Sequence, residues 1–178
     1  MASGVQRTKP NILITGTPGT GKSLTASEVA SQTGLTHIDI GALAKEHNMF
    51  DGWDEKFQCP ILDEDKVVDE LEENLSHGGS IVEYHGCSFF PERWFDAVFV
   101  LRTDNTILYD RLIQRGYSGK KLSDNIQCEI FQTILEEARD SYSDSIVFEL
   151  SSNLPEELEQ NVEAVCRCVR EWTPSVER

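Results

Sequence analysis

Polar residues open the chain and give way at Ile12-Leu13-Ile14-Thr15 to a short apolar run, which predicts a buried strand from Asn11 to Thr15. Met1 to Pro10, with Gly4 and Pro10, reads as a loose tail before it. Beyond a glycine-rich break, Leu24, Val29 and Ala30 predict a helix that Gly34 can end in a left-handed cap. Thr36 to Ile40 predicts a second strand and Gly41 to Asn48 a short helix. Met49 to Pro60 mixes turn residues with aromatics and reads as a loop closing over something. From Asp63 the spacing of Val67, Val68, Leu71 and Leu75 marks one buried helical face, stopped by Gly78-Gly79.

Ser80 to Tyr84 predicts a third strand, and AVFVLR, Ala97 to Arg102, is the most continuous apolar strand in the chain. The crossing between them carries Phe89, Phe90, Trp94 and Phe95, residue types assigned to the core. Thr103 or Asp104 can cap the next helix, which turns Leu108 and Leu112 inward and ends near Gly116. RGYSGKKLSDN, Arg115 to Asn125, is polar and glycine-punctuated and reads as a mobile lid. A long helix from about Ser123 is expected to bury Ile126, Ile130 and Ile134. Ser145 to Leu150 predicts a fifth strand, and a final helix after Pro155 shows Leu158, Val162, Val165, Val169 and Trp172 at helical spacing.

Strands alternating with helices predict an α/β fold, a five-stranded parallel doubly wound sheet. In such sheets ligands bind outside the carboxyl ends of the strands, and each suspected functional stretch follows a strand. With 178 residues, 39% of them hydrophobic, one domain over residues 1–178 is expected. The balance of 16 basic to 31 acidic residues, net -15, argues against a broad grip on nucleic acid. It favours a basic protein partner, or serves only as a solvated face. Five cysteines without a C-x-x-C pair point away from a disulfide framework or zinc site and toward the cell interior. No apolar run reaches the length of a membrane helix, so a soluble protein is expected.

The chemistry is concentrated in GTPGTGKS, Gly16 to Ser23, which satisfies every fixed position of G-x-x-x-x-G-K-[ST] between a strand and a helix. Backbone N–H groups of such a loop, with the positive end of the following helix, make a socket for polyanionic phosphate. Lys22 can reach the β- and γ-phosphates, the Ser23 hydroxyl can bind Mg²⁺, and the Leu24 N–H falls beside the α-phosphate. A nucleoside triphosphate is the expected ligand.

Further strings carry a resemblance. GTPGTGKS, CPILDED (Cys59 to Asp65), YHGC with FFPERWF, RGY with KKL, and DNIQCEIF (Asp124 to Phe131) together resemble the adenylate kinase isoenzyme 6 family, from about Lys9 to Trp172. The resemblance implies a small P-loop nucleoside monophosphate kinase with an NMP-binding insert at about 39–62 and a short lid at about 115–125. It implies ATP on Gly19, Thr20, Gly21, Lys22, Ser23 and Leu24, with Arg115 at the lid and Leu154 beside the base. Mg²⁺ is implied on Ser23 and on Glu83 at a strand end. AMP or another monophosphate is the implied acceptor, in a monomer of nucleus and cytoplasm. ATPase activity and small ribosomal subunit maturation, through a basic ribosomal protein in the pre-ribosome, are implied as well. An ATP-driven assembly switch is the rival reading to the kinase.

Lys22, Arg115 and His85 are the expected catalytic residues; His85 either positions an attacking water or steers its loop. Arg111, one helical turn before Arg115, also has the reach to aim at phosphate unless it pairs with a neighbouring acid. Lys45 lies where many adenylate kinases use Arg for the monophosphate, and supplies charge without the bidentate fork. Three positions depart from common patterns. Leu24 replaces a frequent hydroxyl residue and leaves only its backbone contact, Leu154 replaces a Lys found in some relatives, and Glu83 replaces a frequent Asp.

Overall fold

Strand β1, Ile12–Thr15, is fully buried and has a neighbour on each side, which makes it the axis of the molecule. The computed structural model describes residues 6–174. In chain order follow α1 (Lys22–Thr33), β2 (Thr36–Asp39), α2 (Ile40–His47), β3 (Phe50–Asp54), β4 (Cys59–Leu62), α3 (Glu64–His77) and β5 (Ser80–Glu83). After a 3-10 turn at Glu92–Trp94 come β6 (Ala97–Arg102), α4 (Asn105–Gln114), α5 (Gly119–Ile130), α6 (Thr133–Ser141), β7 (Val147–Ser151) and α7 (Pro155–Glu171). The main sheet has five strands in the order β2-β5-β1-β6-β7, all paired in parallel, as the alternation of elements predicts.

The pleat sorts each strand's side chains between two layers. Ile12 and Ile14 of β1, Ile81 of β5 and Phe99 and Leu101 of β6 meet Ala26 and Val29 of α1 and Val162 and Val165 of α7. Leu13, Val82, Val98 and Val100 point the other way, against Val67, Leu71 and Leu75 of α3, Leu135 of α6 and the aromatic group Phe90, Trp94 and Phe95. The aromatic crossing is therefore core, with Phe89 packed 4.0 Å from Phe90 between ring centroids. No helix among the described residues is long and apolar enough to cross a membrane.

Four expectations are corrected. The part of the expected tail from Arg7 to Pro10 is tied down: the Arg7 guanidinium donates to the Trp94 carbonyl at 2.6 Å and pairs with Asp96 at 3.4 Å. Residues 1–5 lie outside the described residues. The loop expected at Met49 to Pro60 is an antiparallel hairpin, β3 with β4, in which Trp53 faces Pro60 and Asp54 faces Cys59. Its turn is built by the Asp54 carboxylate, which accepts from the N–H groups of Lys56 and Phe57 at 2.8 and 3.1 Å. The hairpin leaves both faces largely open, so no alternation of apolar and polar residues marks it.

The single long helix expected from Ser123 begins at Gly119 and is broken in two, α5 and α6, by Gln132 in the left-handed region at φ 57°. Ile130 is 52% exposed, and the inward face of α5 is Leu122, Asn125 and Glu129. Buried polar residues with partners took the places that apolar periodicity assigned to isoleucine. Finally, most of the expected lid is helical. Only the turn at residues 115–118 separates α4 from α5, with Gly116 at φ 85°.

Candidate active site

The P-loop turns from β1 into α1 through space that side chains cannot enter. A Cβ on Gly16, whose φ is 148°, would fall 2.8 Å from the Leu101 carbonyl oxygen. One on Gly19 would fall 2.9 Å from a Leu108 methyl of α4. Gly21 caps α1 in the left-handed region without a side-chain hydrogen bond, and α1 carries no acid in its first turn. The first N–H groups of the helix are thus left to an anion.

Thr17 organises the loop from within. Its carbonyl accepts from the Thr20 N–H at 3.3 Å, from the Thr20 hydroxyl at 2.8 Å and from the Lys22 ammonium at 3.2 Å. Desolvation in this crowded position pushes the Lys22 pKa down to about 8; the Glu83 charge pulls it back up, and the Arg115 charge lowers it further. Leu24, 60% exposed, packs into neither layer, so its backbone is what it offers to the site.

Glu83 ends β5 beside the loop and is 4% exposed. Its Oε1 accepts from the Ser23 hydroxyl at 2.6 Å, while the buried Oε2 has no hydrogen-bond partner among the described residues and lies 3.4 Å from His37 Nε2. Burial raises the Glu83 pKa, and the hydrogen bond from Ser23 opposes that rise. A divalent cation fits this donor set: the Ser23 hydroxyl and the Glu83 carboxylate are joined beside the P-loop, and one carboxylate oxygen is in want of a partner.

Sequence reasoning missed two neighbours. Parallel pairing sets Asp39 of β2 beside Glu83 of β5, and His37 two residues back reaches the same carboxylate. Asp39 also caps α2 by accepting from the Ala42 N–H at 3.1 Å. Only the strand order, which the sequence does not state, brings β2 against β5.

His85 follows Glu83 by two residues, with its ring 4.2 Å from that of Tyr84 and solvent on its open side. Desolvation against the rim, then the Lys22 ammonium, hold its pKa below the usual imidazole range, so the ring is neutral at pH 7. A neutral imidazole can accept a proton from water or orient one. The loop that follows is fastened by Glu137, whose carboxylate accepts from the N–H groups of Cys87 and Ser88 at 3.1 and 2.9 Å.

Arg111 and Arg115 part company. The Arg111 guanidinium is taken up by the backbone rather than by an ion pair: it donates to the carbonyls of Gly19, Ser152 and Asn153 at 3.2, 3.0 and 2.9 Å and to the Thr103 hydroxyl at 3.3 Å. It is a latch joining the P-loop to the loops after β6 and β7. The Ser152 hydroxyl adds a tie to the Thr20 carbonyl at 2.6 Å. Arg115, at the end of α4, is solvent-exposed, and its charge is felt at Lys22. Leu154 stands two residues beyond Ser152 with 57% of its surface open, an apolar side chain beside the phosphate loop. Lys45 lies exposed in the last turn of α2; burial and then the Asp54 charge raise the pKa of the Cys59 thiol in β4, and Lys121 of α5 is near enough to the hairpin for its charge to oppose that rise.

Comparison with known proteins agrees with this architecture. A family model described as an AAA domain matches residues 12–132. The chain is 54% identical over 164 residues to an adenylate kinase isoenzyme 6 homolog of Drosophila melanogaster, covering 92% of this chain and 94% of the relative. It is 53% identical over 168 residues to the homolog of Dictyostelium discoideum, covering 94% and 96%. Among solved structures, shikimate kinase from Acinetobacter baumannii in complex with shikimate superposes with a TM-score of 0.63 at 12% identity, covering 92% of this chain and 95% of that one, a likeness of fold.

Proposed function

The chain belongs to the adenylate kinase isoenzyme 6 family, a group of P-loop kinases, and on that premise we propose that it transfers the γ-phosphoryl group of ATP to AMP. The observation that carries the proposal is one rim where the uncapped start of α1, Lys22, the Ser23–Glu83 pair and His85 converge, with the hairpin insert on the side of Lys121. The α1 N–H groups and Lys22 hold the triphosphate, with Leu24 contributing its main chain. Leu154 offers the base an apolar contact. Arg115 adds positive charge where the transferring group spreads its negative charge over equatorial oxygens. Ser23 and Glu83 would hold Mg²⁺, which when bound neutralises phosphate charge. Lys45, exposed in the last turn of α2 just before the hairpin, would supply charge to the monophosphate.

Incubation with ATP and each nucleoside monophosphate, with separation of the products, tests the assignment. Production of two ADP from ATP and AMP is expected; ATP consumption indifferent to every monophosphate overturns it.

A second reading, an ATP-driven switch in small ribosomal subunit assembly, working in nucleus and cytoplasm, is favoured by the net charge of -15 and by the open acids of the hairpin. In this reading His85 orients water, and a basic ribosomal protein docks over Asp51, Asp54 and Glu55. Its binding should weaken steeply with salt, since exposed charges are screened within about 8 Å at physiological ionic strength. Neutralising the three acids together (Asp51→Asn, Asp54→Asn, Glu55→Gln) should weaken it too. An affinity insensitive to both changes rejects the docking.

The Lys22 pKa of about 8 gives a pH test. Bound phosphate favours the ammonium, so above pH 8 the free protein must take up a proton to bind ATP. Affinity should fall above that pH by up to about tenfold per unit. Calorimetry in buffers of different ionisation enthalpy should register the proton uptake at pH 9 and lose that component in Lys22→Ala.

A further inference from the structure

Beside the P-loop, at the carboxyl ends of β1 and β6, a crevice with no room for a water molecule is lined by Thr17, Leu101, Arg102, Glu129 and Gln132. Glu129 is a carboxylate only 3% exposed that takes no direct part in phosphoryl transfer. Its Oε1 accepts from Arg102 Nε at the end of β6, and Arg102 also donates to the Glu129 carbonyl at 2.9 Å, closing the last turn of α5. Its Oε2 is buried and has no hydrogen-bond partner among the described residues. A buried carboxylate oxygen left unpaired is costly unless another state of the protein pairs it.

The crevice brings a hydroxyl-bearing residue to the same carboxylate. Thr17, 2% exposed, lines it together with Glu129 and, through its carbonyl, holds the Lys22 ammonium. Glu129 is also close enough for its charge to raise the Lys22 pKa. It stands at the base of α5, whose other end begins the lid, and the left-handed Gln132 follows directly as a bend into α6. The helix is thus seated by Glu129 against Arg102 at one end and by Leu122 against Leu108 and Leu112 of α4 at the other, so a shift at its base is carried to the lid turn.

We propose that Glu129, fixed by Arg102, is a positioning residue that takes a hydrogen bond from the Thr17 hydroxyl when the P-loop closes on nucleotide. That bond draws the Thr17 peptide back, frees Lys22 from the Thr17 carbonyl toward the phosphates, and docks the lid helix in the same movement. The inference rests on the phosphoryl-transfer reading.

The test is a double-mutant cycle in the full chain. Thr17→Val removes the hydroxyl at constant shape and should lower kcat about tenfold, with KM for ATP within about twofold. Thr17→Ser keeps the hydroxyl and should restore kcat. Glu129→Gln retains the bond to Arg102 but trades the charged acceptor for a neutral amide; it should lower kcat in the wild-type background and add nothing to Thr17→Val. Multiplying effects, a Thr17→Ser as poor as Thr17→Val, or equal losses in kcat and ATP affinity overturn the pairing.

If the wild type hydrolyses ATP but phosphorylates no monophosphate, the acceptor assignment falls and the cycle is read on hydrolysis. If it consumes no ATP, the transfer reading falls, and hydrogen exchange of the amides of residues 16–22 with ATP bound decides on the pair. Faster exchange in Thr17→Val and Glu129→Gln supports it; exchange equal to wild type overturns it.

Discussion

Lys22→Ala is expected to lower ATP turnover at least about 100-fold while leaving the fold intact. Lys22 is the only side-chain cation within the P-loop, and single electrostatic contacts to a transition state are worth about 3 to 4 kcal/mol. Its side chain contributes little to packing: its one bond here is to the Thr17 carbonyl, which also accepts from Thr20. Removing a desolvated ammonium therefore costs the folded chain little. Steady-state turnover beside a thermal melt checks the prediction. A folded variant that consumes ATP at near the wild-type rate would remove the P-loop lysine from the mechanism.

The second large effect is expected of Arg111→Ala, and it is one of stability. Three carbonyls and one hydroxyl lose a charged donor at once, in the seam where the P-loop meets the loops after β6 and β7. Hydrogen bonds to charged groups contribute about 1.5 to 3 kcal/mol each and do not add fully, so a loss of about 3 kcal/mol is expected. For a domain of this size that lowers Tm by about 10 °C. ATP affinity should fall with it, because the Gly19 carbonyl is anchored by this side chain. Arg115→Ala is the control: exposed, it should leave Tm near wild type and lower kcat more than ATP affinity. Matching melts for the two variants would refute the latch.

The contrast between these arginines shows what was legible in the sequence. Their spacing put both on one side of a helix, which is correct, but helical geometry cannot tell which will find backbone acceptors. Those acceptors come from Gly19, Thr103 and Ser152, segments that only the folded sheet assembles. The P-loop was readable because each of its glycines answers a local steric demand. The central strands were readable because parallel strands buried on both faces need apolar runs, as in β1 and β6. The hairpin was not, because its strands are open on both faces and set by an Asp54 turn and Gln58 at φ 51°. The Asp39–Glu83 neighbourhood was invisible for a related reason: it depends on strand order, and any order with β2 elsewhere would separate the two acids.

The three tryptophans stand in different surroundings. Trp94 is 1% exposed, with its indole N–H donating to Glu72 at 3.1 Å; Trp172 is half-buried at the end of α7; Trp53 is 51% exposed on the hairpin. Indole emission shifts with the polarity around the ring, so the core tryptophan supplies a constant blue background and the hairpin tryptophan a red component sensitive to its cover. The chain therefore carries its own optical reporter on the segment proposed to receive the acceptor. Hairpin closure over a monophosphate, or masking by a basic protein, can be followed in unlabelled protein as a blue shift that Trp53→Phe removes.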